Sequence, residues 1–464
     1  MFLLAILITT SWKDGTRLEA LNQHFLKALS IKLIQNGDRE LDLLCGLLVY
    51  LNWIHLHMAP KTHQAYRLTA IAISMAVDYG ITRRPGKGRH QQLNVETFND
   101  LPRGLNVVDT EFWGLEAQRA YLGCYHIATW YSIITRKTIP LAYTEYLHLC
   151  AQSLAATQEV PTDSDLIFHL ELTREAEKVY TLFNYTETSQ AQCMNDEQIQ
   201  IYLNAFCAKL HDWRSRLPTL LKDDPSQRVW PSLFEAFVRE VSLSGMSRST
   251  DMSVFRIRII MDSLKSTKEF LDTFLAIPLA DLISLPSTHW ALLGYSILLA
   301  ATMSLSIQTP GWNIKMARSI IKLDAYIDAL SVHIHDLSSR IQVLETAKDW
   351  YKSLLTRWAA IKSSYIATLH QTQPEMNTPA AAASSTSAAE SQLTQYPAEQ
   401  RMDIQQEPPQ SPAPADIRHE ARPLPMSDSF LTSGGGLELF DFTANVGSWM
   451  VPDFDFPWLG VAGF

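Results

Sequence analysis

Between Glu111 and Pro140 the chain reads EFWGLEAQRAYLGCYHIATWYSIITRKTIP, a run that is apolar on nearly every helical face. A helix apolar all round cannot lie on a surface and has to be enclosed by other helices. The run opens on a polar-flanked aromatic pair, Phe112 and Trp113, and ends at Arg136 and Lys137, with Pro140 barring continuation. Arg119 and Arg136 both border this nearly all-apolar helix, so each requires a partner for its charge. No catalytic motif accompanies the run. It predicts a scaffold that binds and relays.

The flanking sequence supplies the enclosing helices. Arg17–Asn36 is amphipathic and stops at Asn36-Gly37; Asp38 is placed to cap a helix carrying Leu41, Leu44, Leu48, Leu51 and Trp53-Ile54. Thr62–Tyr79 follows, with Gly80 where a left-handed cap is wanted. In NDEQIQIYLNAFCAKLHDWRSRLP, residues Ile199, Tyr202, Leu203, Phe206, Leu210 and Trp213 fall on one stripe closed by Pro218. Further helices fit Phe255–Leu275, Trp290–Ile307, Ile314–Leu337 and Ser339–Leu369. Strand patterns are almost absent, so the predicted fold class is all-α, a multi-helix bundle over residues 1–370.

Two apolar runs raise the question of a membrane. MFLLAILITTSW lacks the basic residues and the cleavage site of a signal peptide. Trp290–Ile307 is uncharged and long enough to span, but it carries Gly294, Ser296, Thr302, Ser304 and Ser306 among helices of soluble type. A buried core helix is the expectation, and no membrane partner. Five cysteines (Cys45, Cys124, Cys150, Cys193, Cys207) are odd in number and far apart, as reduced thiols of an intracellular protein are. A net charge of −9 argues against a surface devoted to nucleic acid.

Composition changes near Gln371. Residues 371–425 are rich in Ala, Ser, Gln and Pro, too poor in apolar surface to order, and read as a disordered linker. Residues 426–464 carry no Lys or Arg and interleave acids with Phe440, Phe442, Trp449, Phe454, Phe456 and Trp458. Acid beside aromatic keeps apolar groups hydrated and available to a partner groove, the composition of an activation segment. The alternative is a tail folded back on the helical body through Trp449, Phe454 and Trp458.

Most chemical motifs fail on inspection. RRPGKGRH, Arg83–His90, has neither a third glycine nor a preceding strand, so it is no dinucleotide fingerprint or P-loop. His55/His57 and His333/His335 lie in helical patterns, where residues two apart point about 200° away from each other and cannot share a metal. Gly294-Tyr295-Ser296 lacks the second glycine of a nucleophile elbow, and Asp223-Asp224 is followed by Pro225 instead of the further carboxylates of a prenyl-diphosphate enzyme. An apolar ligand pocket lined by Tyr121, Tyr125, Trp130 and Tyr131 competes with the simpler reading of those rings as core.

Several motifs in order resemble the middle homology region of fungal zinc-cluster transcription factors. Gly37–Pro85 is similar to its first half, a Leu-Leu-x-Gly-Leu-Leu-Val-Tyr helix with Trp53 in a Trp-x-His element, then a helix finishing on Ala72, Met75, Ala76, Asp78, Gly80 and Ile81. The central helix matches that family's pattern at Arg119, Cys124, Tyr125 and Arg136. It departs from the pattern at Gln118 and Leu122, and Thr135 and Lys137 flank Arg136 where Gly and Pro are expected. Trp213 with Leu217-Pro218 resembles a Trp-x-x-x-Leu-Pro element. Phe270–Arg318, which includes Trp312, is similar to regulators found beside secondary-metabolite gene clusters.

The resemblance implies a nuclear transcription regulator and no enzyme, with the transcription machinery or a related regulator as partner and a homo- or heterodimer open. The family's six-cysteine zinc module is not found, so no cofactor is expected here; zinc would enter only with such a cluster. DNA contact has no support in these residues. The alternative is a DNA-binding-deficient accessory partner of a full-length relative, and behind it a helical-fold enzyme.

Overall fold

The computed structural model describes residues 1–57, 64–84, 114–185, 194–243, 252–307, 309–340 and 345–371. Among these the fold is all-α, with no strand. The helices are α1 (Phe2–Thr10), α2 (Gly15–Leu29), α3 (Leu41–Asn52), α4 (Gln64–Asp78), α5 (Leu115–Thr135), α6 (Glu145–Thr157) and α7 (Leu166–Leu182). They continue as α8 (Asp196–Arg216), α9 (Val229–Arg239), α10 (Val254–Leu275), α11 (Ser287–Ala301), α12 (Ile314–Ile320), α13 (Leu323–Arg340) and α14 (Glu345–Gln371). The linker and tail, 372–464, lie outside the described residues.

α5 is enclosed as its composition demands. From Ala120 to Thr135 only Gly123 and His126 keep partial exposure. Its Tyr121, Leu122, Cys124, Tyr125 and Ile127 belong to one core with α1–α4 and α6, while Trp130, Ile133 and Ile134 belong to a second core with α8–α11, α13 and α14. One rod thus serves two cores. α7 is shared in the same way, giving Leu170 to the first and Leu172, Ala176 and Val179 to the second.

The N-terminal run forms α1, packed against α3. The approach is close at Gly46: a Cβ built there would stand 2.8 Å from the Met1 carbonyl carbon and 2.9 Å from the Phe2 nitrogen, so only hydrogen fits. The uncharged run near the other end is α11, every residue of which is buried. Ser287–Leu305 is long and apolar enough to cross a bilayer, but 89% of its most apolar window is buried inside the protein.

The boundaries show where local rules hold and where they yield. α8 begins with the reciprocal cap its sequence encodes: the Gln198 backbone N–H donates to Asn195 Oδ1 at 2.9 Å, and the Asn195 N–H donates to Gln198 Oε1 at 3.1 Å. Its stripe is buried at Ile199, Leu203, Phe206, Leu210 and Trp213, but Tyr202 sits at the edge and is 36% exposed. Gly37 and Gly80 take the left-handed conformation, φ +69° and +77°.

Three expectations need correction. Asp38 does not cap α3; its backbone N–H closes the wide π-turn after α2 on the Lys32 carbonyl at 2.8 Å, and Glu40 takes the cap position. His55 and His57 are not α-helical: α3 ends at Asn52 and a 3-10 turn, Ile54–Leu56, follows. The helix expected over 314–337 is two, because the chain turns extended at Ile321 and buries that side chain.

Candidate functional site

The end of α5 builds an ion pair. Arg136 takes the left-handed conformation (φ 53°, ψ 38°), and the Lys137 and Arg136 N–H groups return to the Ser132 and Ile133 carbonyls at 3.0 and 3.4 Å. This is a Schellman ending with arginine where glycine costs least, a local strain of about 1 kcal/mol or more. What holds it is distant in sequence. Arg136 Nη2 donates to Glu240 Oε1 and Oε2 at 2.5 and 2.6 Å, and the Tyr295 hydroxyl donates to Oε2 at 2.7 Å. The two charged side chains are 3% and 1% exposed. The Tyr185 ring stacks 5.1 Å from the guanidinium. Burial alone would lower the Arg136 pKa, but the Glu240 carboxylate outweighs it and raises it above the ordinary value.

Arg119, nearly five turns earlier, is held as expected. Nε and Nη2 grip Asp163 in a fork at 2.8 and 2.7 Å, and Nη2 also reaches Glu159 at 2.8 Å. Asp163 also accepts from the Val160 N–H at 3.0 Å; the Arg119 guanidinium, ahead of that bond, holds its carboxyl below the usual range. The other motif residues are staples between elements. Trp53 Nε1 donates to the Ser284 carbonyl, Trp213 Nε1 to that of Phe168 and Trp312 Nε1 to that of Met303, at 3.1, 2.9 and 3.2 Å. Tyr125 donates its hydroxyl to Glu177, Cys124 is a buried thiol, and Asp78 pairs with Arg39 at 3.1 Å ahead of the Gly80 cap. The tail residues Phe440, Phe442, Trp449, Phe454, Phe456 and Trp458 lie outside the described residues, as do 85–90 of the basic stretch.

Where the two cores meet, the packing leaves a cavity of about 970 Å³ between α3, α5, α7, α9 and the start of α11. Trp53, Arg119 and Tyr125 line it. Tyr121, Trp130 and Tyr131, the other rings considered for a pocket, are core instead. One end carries a group that sequence reasoning missed: His126, His169, Trp230 and His289. The ring centroids of His126 and Trp230 are 6.0 Å apart, those of Trp230 and His289 5.2 Å, and those of His126 and His169 6.3 Å. They come from four helices, and no local spacing announces them.

Hydrogen bonds fix two of these imidazoles. The Thr173 hydroxyl spends its proton on the His169 carbonyl at 2.7 Å, so its oxygen can only accept. It accepts from Trp130 Nε1 at 3.2 Å and therefore from His126 Nδ1 at 3.0 Å, which leaves His126 Nε2 as an acceptor. His289 Nε2 donates to the Ser226 carbonyl at 3.1 Å, leaving Nδ1 as an acceptor. Burial pushes His126 down to about 3 and His289 to about 4, and lowers His169, so these rings stay neutral at pH 7. Among the described residues no group of three or more His, Cys, Asp or Glu is placed to hold a metal ion.

Two curated proteins are similar to this chain. The transcription factor himD of Aspergillus japonicus is 24% identical over 358 residues, 75% of this chain and 56% of that protein. The transcription factor opdL of Penicillium oxalicum is 24% identical over 318 residues, 67% of this chain and 54% of that protein. The chain spans about half the length of these curated relatives. No family model matches it, and no solved structure matches it.

Two outcomes follow from the buried charges. Replacing Glu240 by Leu strands the Arg136 charge and should cost about 3–5 kcal/mol, whereas Arg136→Met with Glu240→Leu should recover much of that loss. Urea unfolding of the three proteins measures it, and a double variant no better than the single would show that the pair is not the anchor. His55, His57 and His289 are 2%, 7% and 4% exposed, with burial first among the causes that push them to about 3, 3 and 4. Their folded pKa values lie below the unfolded one, so their contribution is complete above about pH 6.5 and shrinks as the pH falls toward 4. With His126, also pushed to about 3, four such rings should take up roughly four protons on unfolding near pH 5.5, a slope of about 5 kcal/mol per pH unit. Calorimetry in buffers of different ionisation enthalpy counts them, and an uptake below about one contradicts the burial.

Proposed function

We propose that this chain is a nuclear regulator of fungal transcription. Its helical body, residues 1–370, restrains and presents an acidic, aromatic segment, residues 426–464, that recruits the transcription machinery. The observation that carries this reading is the likeness, over two thirds to three quarters of the chain, to two proteins named transcription factors. The ordered motifs around Trp53, Asp78, Gly80, Arg119, Cys124, Arg136, Trp213 and Trp312 support the finer statement that the body is a middle homology region of the zinc-cluster type. The sequence of Phe270–Arg318 supports an action at genes of a secondary-metabolite cluster.

The body suits a relay in physical terms. Arg136 and Glu240 tie the end of α5 to the turn after α9, and α5 crosses from one core to the other, so a change at one end reaches both. The tail suits recruitment because hydrated aromatics set among carboxylates can be gripped by a groove without first unpacking from a core.

Fusing residues 426–464 to an unrelated DNA-binding domain should activate a reporter. Changing Phe440, Phe442, Phe454, Phe456 and Trp458 together to Ala should remove most of that signal. A silent fusion would take the tail out of the function.

A second reading is favoured by the formal charge of −9: an accessory subunit that pairs with a related regulator and leaves DNA contact to it. Phosphate contacts are strongest at low salt, so the purified chain should then show no DNA affinity at about 50 mM salt. Tight, sequence-specific binding in a gel-shift assay would end this second reading.

A further inference from the structure

We infer that the cavity between α3, α5, α7, α9 and α11 is a binding site for an uncharged, largely aromatic small molecule bearing hydroxyl or N–H donors, recognised by the imidazole acceptors of His126 and His289. The volume, about 970 Å³, lies at the upper end of the ~300–1,000 Å³ found for sites that enclose small ligands. The walls are mainly apolar, with Leu48, Leu115, Leu122, Ile127, Leu166 and Leu170 between the two ends. Such a surface favours rings and excludes charge.

The distribution of polar groups sets the chemistry of the ligand. The charged lining residues are Glu116, Arg119 and Glu159. Both glutamates are exposed, and Arg119 is committed to Asp163 and Glu159. Among the described residues an anion would find carboxylates and no available cation, and a cation would find only a solvent-screened carboxylate at Glu116.

The histidine end is different. His126 Nε2 and His289 Nδ1 are lone pairs that Thr173 and Ser226 orient from behind; His289 Nδ1 is buried without a partner among the described residues, and the hydrogen bond that His126 makes there is through Nδ1 to Thr173. Both rings are neutral at pH 7, so they accept protons in hydrogen bonds and attract no counter-ion. Trp230, between them, carries a buried Nε1–H without a partner among the described residues, a donor for a carbonyl or ether oxygen once the ring adjusts. Two acceptors and one donor at the end of an apolar chamber describe a phenol-like molecule, and among the described residues no group of three ligands is placed for a metal.

The site stands apart from the transcription reading, because binding is measured on the purified chain without DNA or reporter. N-phenyl-1-naphthylamine is an uncharged aryl amine with one N–H, and it accepts emission energy from tryptophan. Trp53 and Trp230 line the cavity, so their transfer to the probe reports occupancy. The expected result is saturable one-to-one binding, with 2-naphthol displacing the probe roughly fivefold better than 2-methoxynaphthalene, which has lost the donor.

Two variants locate the effect. His126→Phe keeps an aromatic ring and should bring that preference close to one. A Cβ at Gly123 would meet only Leu48 Cδ1, at 3.5 Å, so Gly123→Leu has room to project into the cavity and should abolish probe binding. Thermal unfolding verifies that each variant keeps the fold. If one does not fold, the other variant and the hydroxyl-to-ether comparison on the native chain still decide. Unsaturable probe binding, equal displacement by the ether, or unchanged binding in folded Gly123→Leu would each overturn the assignment. A silent reporter with the donor preference intact would instead count against the function proposed above and leave this site standing.

Discussion

A cation at the end of a fully enclosed helix has nowhere to find water, and the body of this protein is organised around that difficulty. Arg136 can neither lose its proton nor reach solvent, so a carboxylate must come to it. Glu240 arrives on the short turn after α9, and Tyr295 of α11 completes its coordination. The strained ending of α5, the place of α9 and the register of α11 therefore answer to one pair of charges. Desolvating such a pair costs nearly what it returns, so it adds little to net stability. It gives alignment: helices that could slide along each other on apolar contacts alone are fixed at one point.

The same helix explains the cavity. α5 gives one stretch of its surface to each core, and α7 does likewise. The cavity opens along Gly114–Ile127, where the small residues Gly114, Ala120 and Gly123 line it. Large rings then gather at its margin.

Much of this was legible beforehand. The enclosed α5, the need of both its arginines for partners, the buried stripe of α8, the glycine endings at Gly37 and Gly80 and the all-helical class follow from periodicity and from the cost of buried charge. What escaped notice had non-local causes. The break at Ile321 is set by a side chain buried against other helices, which overrides a continuous helical pattern. Tyr202 satisfies the stripe by spacing but meets Phe183 edge-on and keeps part of its ring exposed. The histidine group was invisible because His126, His169 and His289 are single residues on separate helices, and Trp230 looks like any core tryptophan. Pair motifs such as His55/His57 drew attention instead, and in that pair His55 lies within a 3-10 turn and His57 closes it, each ring below its ordinary pKa from burial.

Thr173 has a consequence out of proportion to its size. It is buried, yet through a single oxygen it dictates which imidazole nitrogen of His126 keeps the proton. Valine has nearly the same outline, so Thr173→Val would leave the chamber's shape almost unchanged while releasing the ring to swap tautomers. The wall would then offer a proton where it had offered a lone pair. The taste of the chamber is thus written on a residue that no visitor touches, and selectivity could drift without any change in the visible lining.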